Sequence, residues 1–141
     1  MTPAEIQRLF DAYLLMEAQQ ALTLTDQQYP QFLTRLKTLQ ETRRRNQQQR
    51  NQLMGELQRL TNPRAAVRAD EAMLKERLNA LQELESRSAA ELRKAYGTLD
   101  EILDVRQQAR FRVFEEQIER RKLDLLMRAR QNRPLQKRNQ Q

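Results

Sequence analysis

The feature that most restricts the fold of this sequence is a run of residues spaced alternately four and three apart, beginning at Phe32. This spacing places every member of the run on one side of an α-helix and is typical of a coiled-coil seam. The run is apolar at both ends and polar at its centre. Its members are Phe32, Leu36, Leu39, Arg43, Asn46, Arg50, Leu53, Leu57 and Leu60.

The same spacing recurs between Val67 and Ile102, again with polar interruptions. Asn62 and Pro63 separate the two runs, because proline disfavours a helical residue before it and is well suited to begin the next helix. Two such helices joined by a turn of a few residues are expected to fold into a long antiparallel αα-hairpin.

The position of the turn sets the register of the predicted hairpin. With the turn centred on residues 62 and 63, facing residues have numbers that sum to about 125 in an antiparallel pair. This register places Arg43 near Gln82, and it brings Arg43 and Arg44 within reach of Glu83 and Glu85.

Two further helices are predicted around the hairpin. One covers residues 3–21, with Thr2 as its N-cap and Pro3 as its first residue. The other begins after Asp104 and carries Phe111 and Phe114, which we interpret as core or dimer-contact residues. The fold class is therefore all-α with four helices, in a single domain over residues 1–131. Residues 132–141 lack apolar periodicity and are predicted to form a disordered basic tail.

Composition excludes several classes of function. The chain has no histidine and no cysteine, which are common bases, nucleophiles and metal ligands. We identify no catalytic residues, no metal site and no cofactor, so an enzyme is not expected. No apolar run is long enough to span a bilayer, and membrane insertion is not expected. The net charge of +7 favours anionic partners.

A short motif occurs twice, each time where a helix is predicted to begin. The first copy reads L-T-x-x-Q and the second reads L-D-x-x-Q. A capping residue followed three positions later by glutamine is the capping-box spacing, so we interpret the polar residues as helix caps and the leucines as hydrophobic staples. The motif residues are Leu24, Thr25, Gln28, Leu103, Asp104 and Gln107.

The doubled motif, on a four-helix chain of this length, resembles the Spy/CpxP family of small periplasmic proteins. The resemblance implies an antiparallel homodimer shaped as a thin, curved cradle. It also implies ATP-independent binding of unfolded or partly folded proteins on a basic, partly apolar concave surface, which suppresses their aggregation in the envelope stress response. Zinc- and nickel-responsive members use histidine, which this chain lacks. The first ten residues lack the pattern of a secretory signal, so a periplasmic location requires that such a segment has been removed.

The polar centre of the first run is the candidate surface for binding unfolded proteins. Guanidinium groups attract acidic segments and stack on aromatic rings, and neighbouring leucine and methionine side chains offer adaptable apolar contact. A solvated helix surface is the alternative interpretation of these charges. The candidate residues are Leu39, Arg43, Arg44, Asn46, Arg50, Leu53 and Met54.

Three other functions compete with this hypothesis. The pI near 10.4 and the Arg43–Arg45 run are typical of a nucleic-acid-binding helical protein. A metal-responsive or envelope-stress-responsive regulator of the same family is a second alternative. A plain coiled-coil scaffold would explain the periodicity, but it leaves the two capped motifs unexplained.

Overall fold

The computed structural model describes residues 1–65 and 68–139, with side chains up to residue 132. The described residues form four helices and no strand: α1 (Pro3–Leu22), α2 (Gln28–Leu60), α3 (Glu71–Asp100) and α4 (Val105–Asn139). The predicted all-α, four-helix fold is therefore confirmed. Of these helices, α1 matches its predicted bounds most closely.

Local hydrogen bonds determine where α1 begins and ends. At its start, the Thr2 hydroxyl accepts from the Glu5 N–H at 3.2 Å, and the Glu5 carboxylate accepts from the Thr2 N–H at 2.8 Å. At its end, Thr23 adopts the left-handed conformation, with φ 53° and ψ 49°. The Leu24 N–H then donates back to the Gln19 carbonyl at 3.0 Å, which satisfies one of the last carbonyls of the helix.

The chain divides into two compact units. The first unit comprises Met1–Leu33 and the chain from Asp100 onward, so it contains α1, the start of α2 and α4. Along α1 and α4, residues a whole number of helical turns apart face one shared core. The buried apolar side chains of this unit are Ile6, Leu14, Ala18, Leu22, Leu24, Phe32, Leu103, Phe111 and Ile118.

Helices α1 and α4 run antiparallel within the first unit. Near the start of α1, the Gln7 amide oxygen accepts from Lys122 at 2.9 Å, whereas after the end of α1 the Thr23 hydroxyl accepts from Arg110 at 3.1 Å. Phe111 is fully buried in this unit, which agrees with its predicted core position, and Phe114 is only partly buried.

The second unit, Thr34–Leu99, is the antiparallel hairpin of α2 and α3. Its register differs from the predicted one. The Arg43 guanidinium lies 5.2 Å from the ring centre of Tyr96, instead of lying near Gln82. Arg77 pairs with Glu56 at 3.0 Å. The observed partners on α3 lie roughly two to four helical turns beyond the predicted ones.

The longer connection between α2 and α3 explains this error. Pro63 does not begin α3, since residues 61–65 form a turn in which the Asn62 side-chain oxygen accepts from the Arg64 N–H at 3.0 Å. Helix α3 begins only at Glu71, where Asp70 caps it by accepting from the Met73 N–H at 2.7 Å. The predicted seam position Val67 lies outside the described residues.

The buried side of each hairpin helix also departs from the predicted seam. On α2, Arg50 is exposed, and Gln49 beside it is partly buried. On α3, Leu84 is buried to 4% exposure, while the predicted seam residue Leu78 is 51% exposed. The alternating spacing of four and three residues therefore predicts the buried side of both helices with an error of about one residue in places.

The carboxyl-terminal part of α4 overlaps the predicted tail. Helix α4 is assigned to Val105–Asn139 and so includes residues 132–139 of the predicted tail, whose disorder stays a prediction. The last two predicted tail residues lie outside the described residues.

Candidate functional site

The first copy of the repeated motif begins α2 with a reciprocal pair of hydrogen bonds. The Thr25 hydroxyl accepts from the Gln28 N–H at 3.1 Å, and the Gln28 side-chain oxygen accepts from the Thr25 N–H at 3.0 Å. These bonds satisfy two backbone donors that the first turn of a helix leaves unpaired. The geometry agrees with the interpretation of Thr25 and Gln28 as a capping box.

The second copy begins α4 in the same way. The Asp104 carboxylate accepts from the Gln107 N–H at 2.7 Å, and the Gln107 side-chain oxygen accepts from the Asp104 N–H at 3.0 Å. Aspartate replaces threonine without loss of the cap, and its charge is also favourable at a helix amino terminus. Leu24 and Leu103, which open the two motifs, are each 6% exposed.

The two glutamines also join the motif copies to each other within the first unit. Gln28 Nε2 donates to Gln107 Oε1 at 2.9 Å, and Gln107 Nε2 donates to Gln28 Oε1 at 3.0 Å. Each amide further reaches a backbone carbonyl just before the opposite motif. Gln28 donates to the Ile102 carbonyl at 2.8 Å, and Gln107 donates to the Thr23 carbonyl at 3.4 Å. We call this arrangement the glutamine junction.

An aromatic pair lies one helical turn beyond the glutamine junction. Phe32 and Phe111 are fully buried, and their ring centres are 5.5 Å apart at an interplanar angle of 88°. This edge-to-face geometry is one that aromatic pairs prefer. Each phenylalanine follows its motif glutamine by four residues, so the repeat extends to L-[TD]-x-x-Q-x-x-x-F. Alignment of the two copies at their separation of 79 residues would have revealed both phenylalanines from sequence.

The polar centre of α2 contains one buried amide. Asn46 is 8% exposed, and its Nδ2 has no hydrogen-bond partner among the described residues. Thr42, one turn earlier, is 7% exposed. The predicted polar interruption of the seam therefore exists at Asn46, where a buried donor without a partner lowers the stability of the hairpin.

One side of the hairpin is held by polar contacts between α2 and α3, and we call it the paired side. Its three contacts are Arg45 with Glu91 at 3.7 Å, Gln49 with Arg87 at 3.4 Å, and Glu56 with Arg77 at 3.0 Å. On each helix these residues follow one stripe of the helical repeat. All three contacts involve exposed or half-exposed side chains, so each stabilises the hairpin only weakly.

The opposite side of the hairpin combines arginine with apolar surface, and we call it the mixed face. Helical periodicity places its members on the side away from the paired side, on the same edge of both helices. Met54 is 41% exposed and Leu78 is 51% exposed. Both lie at nearly the same level along the hairpin, because they flank the Glu56–Arg77 pair in sequence. The mixed face consists of Arg43, Arg50, Met54, Leu78, Leu92 and Tyr96, and the exposed Glu85 lies on the same stripe of α3 between Leu78 and Leu92.

The seven residues predicted to bind unfolded proteins do not form one surface. Arg43, Arg50 and Met54 belong to the mixed face, and Leu53 is partly buried beside them. Leu39 is fully buried and offers no contact surface in this structure, and Asn46 is also buried. Arg44 is exposed, but it lies about 100° around the helix from Arg43, on the outer side of α2.

Sequence reasoning missed the α3 half of the mixed face. Tyr96 and Leu92 have the helical spacing of one stripe, and Leu78 continues that stripe toward the start of the helix. Tyr96 was not recognised because the predicted register put Gln82 opposite Arg43, whereas Leu78 and Leu92 were assigned to the apolar seam. The correct length of the α2–α3 connection would have placed Tyr96 opposite Arg43.

Within the part of the chain that the structure describes, no group of three or more acidic, histidine or cysteine residues is placed to hold a metal ion. None of the helices in those residues combines the length and the apolar character needed to cross a membrane. Comparison of the chain with protein-family models, with curated proteins and with solved structures gave no match.

Proposed function

We propose that this chain binds unfolded or partly folded proteins through the mixed face and suppresses their aggregation without ATP. The observation that carries the proposal is the composition of that face, where two arginines of α2 lie beside the exposed apolar side chains Met54 of α2 and Leu78 of α3. Arg43 and Arg50 attract acidic segments, whereas Met54 and Leu78 contact apolar ones. Contacts that are individually weak and chemically mixed allow a bound protein to continue folding.

The resemblance to the Spy/CpxP family supports the proposal through the repeated motif. Its two copies occur at equivalent helix starts and bond to each other through Gln28 and Gln107. We extend the proposal to the antiparallel homodimer and the periplasmic location that the family implies.

An aggregation assay tests the proposed function directly. Light scattering from three unrelated aggregating proteins, without nucleotide, should fall when the chain is added at an equimolar ratio. The double variant Met54→Gln/Leu78→Gln removes apolar contact from the mixed face, and Arg43→Gln/Arg50→Gln removes its positive charge. Both variants should protect less well than the natural chain, with their helical circular dichroism retained.

A matched control uses the same residue type on the paired side. Arg45→Gln/Arg87→Gln removes two arginines from the opposite side of the same hairpin and should leave protection unchanged. Equal loss of protection in the control would show that net charge, and not the mixed face, drives binding. Absence of protection against all three proteins by the natural chain would contradict the proposed function itself.

Binding to nucleic acid is the second candidate function. It is favoured by the exposed Arg44 and Arg50 on α2 and by the net charge of +7. Titration with single-stranded and duplex DNA at two salt concentrations distinguishes the candidates. Micromolar affinity at physiological salt with a steep salt dependence, lost in Arg44→Gln/Arg50→Gln, would favour nucleic acid. Sedimentation equilibrium separately measures whether the chain dimerises.

A further inference from the structure

An open groove lies between α1 and α4 in the first unit, separate from the residues of the mixed face. Its volume is about 440 Å³, within the range of about 300–1,000 Å³ typical of small-molecule sites. The apolar wall of the groove consists of Leu9, Phe10, Tyr13 and Leu125. Leu9 remains 49% exposed and Leu125 39% exposed, so no other described residue covers this wall completely.

The remaining lining residues are charged and all belong to α4: Arg121, Asp124 and Arg128. The two arginines are seven positions apart, which places them on one side of the helix two turns from each other. Asp124 lies between them and neutralises only part of their charge. One edge of the groove therefore carries a net positive charge, beside an apolar wall formed largely by α1.

This combination defines the chemistry of a ligand. An apolar body fits against Leu9, Phe10 and Tyr13, and an anionic group at its end can accept hydrogen bonds from a guanidinium, which matches carboxylate and sulfate geometry with two parallel donors. A cationic amphiphile would meet the arginines with like charge. A neutral amphiphile would offer the two arginines no anionic group besides Asp124.

We propose that the groove between α1 and α4 binds a small single-chain amphiphilic anion, such as a medium-chain fatty acid. The ligand's hydrocarbon chain lies along the apolar wall and its carboxylate pairs with Arg121 or Arg128. This site is independent of the proposed binding of unfolded proteins, because it shares no residue with the mixed face.

Isothermal titration calorimetry with dodecanoate, below its micelle concentration, tests the proposal. We expect saturable binding at one site per chain. Arg121→Gln/Arg128→Gln should weaken that binding at least about tenfold, as expected when charge-assisted hydrogen bonds are lost. The matched control Arg106→Gln/Arg130→Gln removes two exposed arginines from the same helix outside the groove and should leave the affinity unchanged.

The apolar wall is tested by a second matched pair on α1. Leu9→Gln should weaken dodecanoate binding, whereas Met16→Gln should not, since Met16 is 72% exposed and does not line the groove. Equal binding of dodecyltrimethylammonium or dodecyl maltoside would overturn the assignment of an anionic ligand. The same conclusion follows if dodecanoate does not bind up to its micelle concentration.

Two further outcomes would overturn the proposed location of the site or the proposal that the ligand is a free amphiphile. Loss of dodecanoate binding in Met54→Gln/Leu78→Gln, with the groove variants unaffected, would place the site on the mixed face. Binding to vesicles of phosphatidylcholine and phosphatidylglycerol that requires Arg121 and Arg128, with no binding of free dodecanoate, would identify a membrane surface instead. The dodecanoate result does not depend on the aggregation assay, so either proposal can fail alone.

Discussion

Replacement of Gln107 by glutamate separates the two roles of the glutamine junction. Glutamate keeps the side-chain oxygens that accept from the Asp104 N–H, so the cap of α4 survives. It removes the amide donor that reaches the Gln28 Oε1 at 3.0 Å and the Thr23 carbonyl at 3.4 Å. It also places a charged carboxylate oxygen next to the Gln28 Oε1, so that two acceptors face each other without a donor. If the motif served only as a cap, this change would be harmless.

The magnitude follows from the burial of the site and the bonds that are lost. Gln107 is 7% exposed, so water replaces the lost donor poorly. A net hydrogen bond contributes about 0.5–1.5 kcal/mol, and a buried acceptor left without a partner costs about 1–3 kcal/mol. Because the Thr23 contact is long, we expect Gln107→Glu to lower the free energy of unfolding by about 2 kcal/mol. The melting temperature should fall by about 6–10 °C.

Urea unfolding followed by circular dichroism at 222 nm measures the effect. The matched control is Glu5→Gln, because Glu5 occupies the same capping-box position in α1 and its only described hydrogen bonds are those to Thr2. It should cost less than about 0.5 kcal/mol, since it changes only an exposed charge near a helix start. A double-mutant cycle of Gln28→Ala and Gln107→Ala should give a coupling energy of about 1–2 kcal/mol. An unchanged free energy of unfolding in Gln107→Glu would refute the conclusion that the bonds between Gln28 and Gln107 stabilise the fold.

Three other substitutions have defined outcomes in the same urea experiment. Phe111→Ala should cost about 3–5 kcal/mol, as for a fully buried aromatic residue, and Phe114→Ala clearly less, because Phe114 is only partly buried; equal costs would contradict the assigned core. Asn46→Leu should raise the free energy of unfolding by about 1–2 kcal/mol, because it removes a buried donor that has no partner among the described residues. A decrease would indicate that the Asn46 amide has a hydrogen-bond partner after all. Thr23→Gly should raise the free energy of unfolding by up to about 1 kcal/mol, because glycine adopts a φ of 53° without steric cost; a decrease would show that the contact of Thr23 with Arg110 outweighs the strain.

The starts of α1, α2 and α4 could be predicted from sequence because capping is local. Thr2, Thr25 and Asp104 each bond to a backbone N–H three positions away, and such contacts need no knowledge of the rest of the fold. The all-helical class was predictable for a similar reason, since helix-forming residues dominate and turn residues are few. These features depend on short stretches of sequence that can be interpreted one at a time.

The hairpin register could not be obtained in this way. It depends on the length of the α2–α3 connection, and the Asp70 cap at the true start of α3 competes with the more conspicuous Pro63. The error carried over to the candidate site, since it placed Gln82 and not Tyr96 opposite Arg43. Spacing alone also could not tell Gln49 from Arg50 as the inward residue, because adjacent positions share the boundary of a helical stripe.

The pairing of the two motifs was the largest omission. Each copy was interpreted as a separate cap, but the glutamines bond to each other across 79 residues. Nothing in either five-residue motif indicates this contact. The signal was the shared phenylalanine four positions after each glutamine, which extends the likeness of the two copies into the core.

The glutamine junction has a consequence for the order in which the chain assembles during synthesis. The partners of Gln28 lie 74 and 79 residues further along the chain, so at about 5–20 residues per second they are made roughly 4–16 seconds later. The hairpin unit, Thr34–Leu99, is continuous and can form in that interval. The first unit must wait for α4. A nascent chain that ends at Leu99 carries all residues of the hairpin unit, while Phe32 still lacks Phe111, whose ring it contacts in the finished unit.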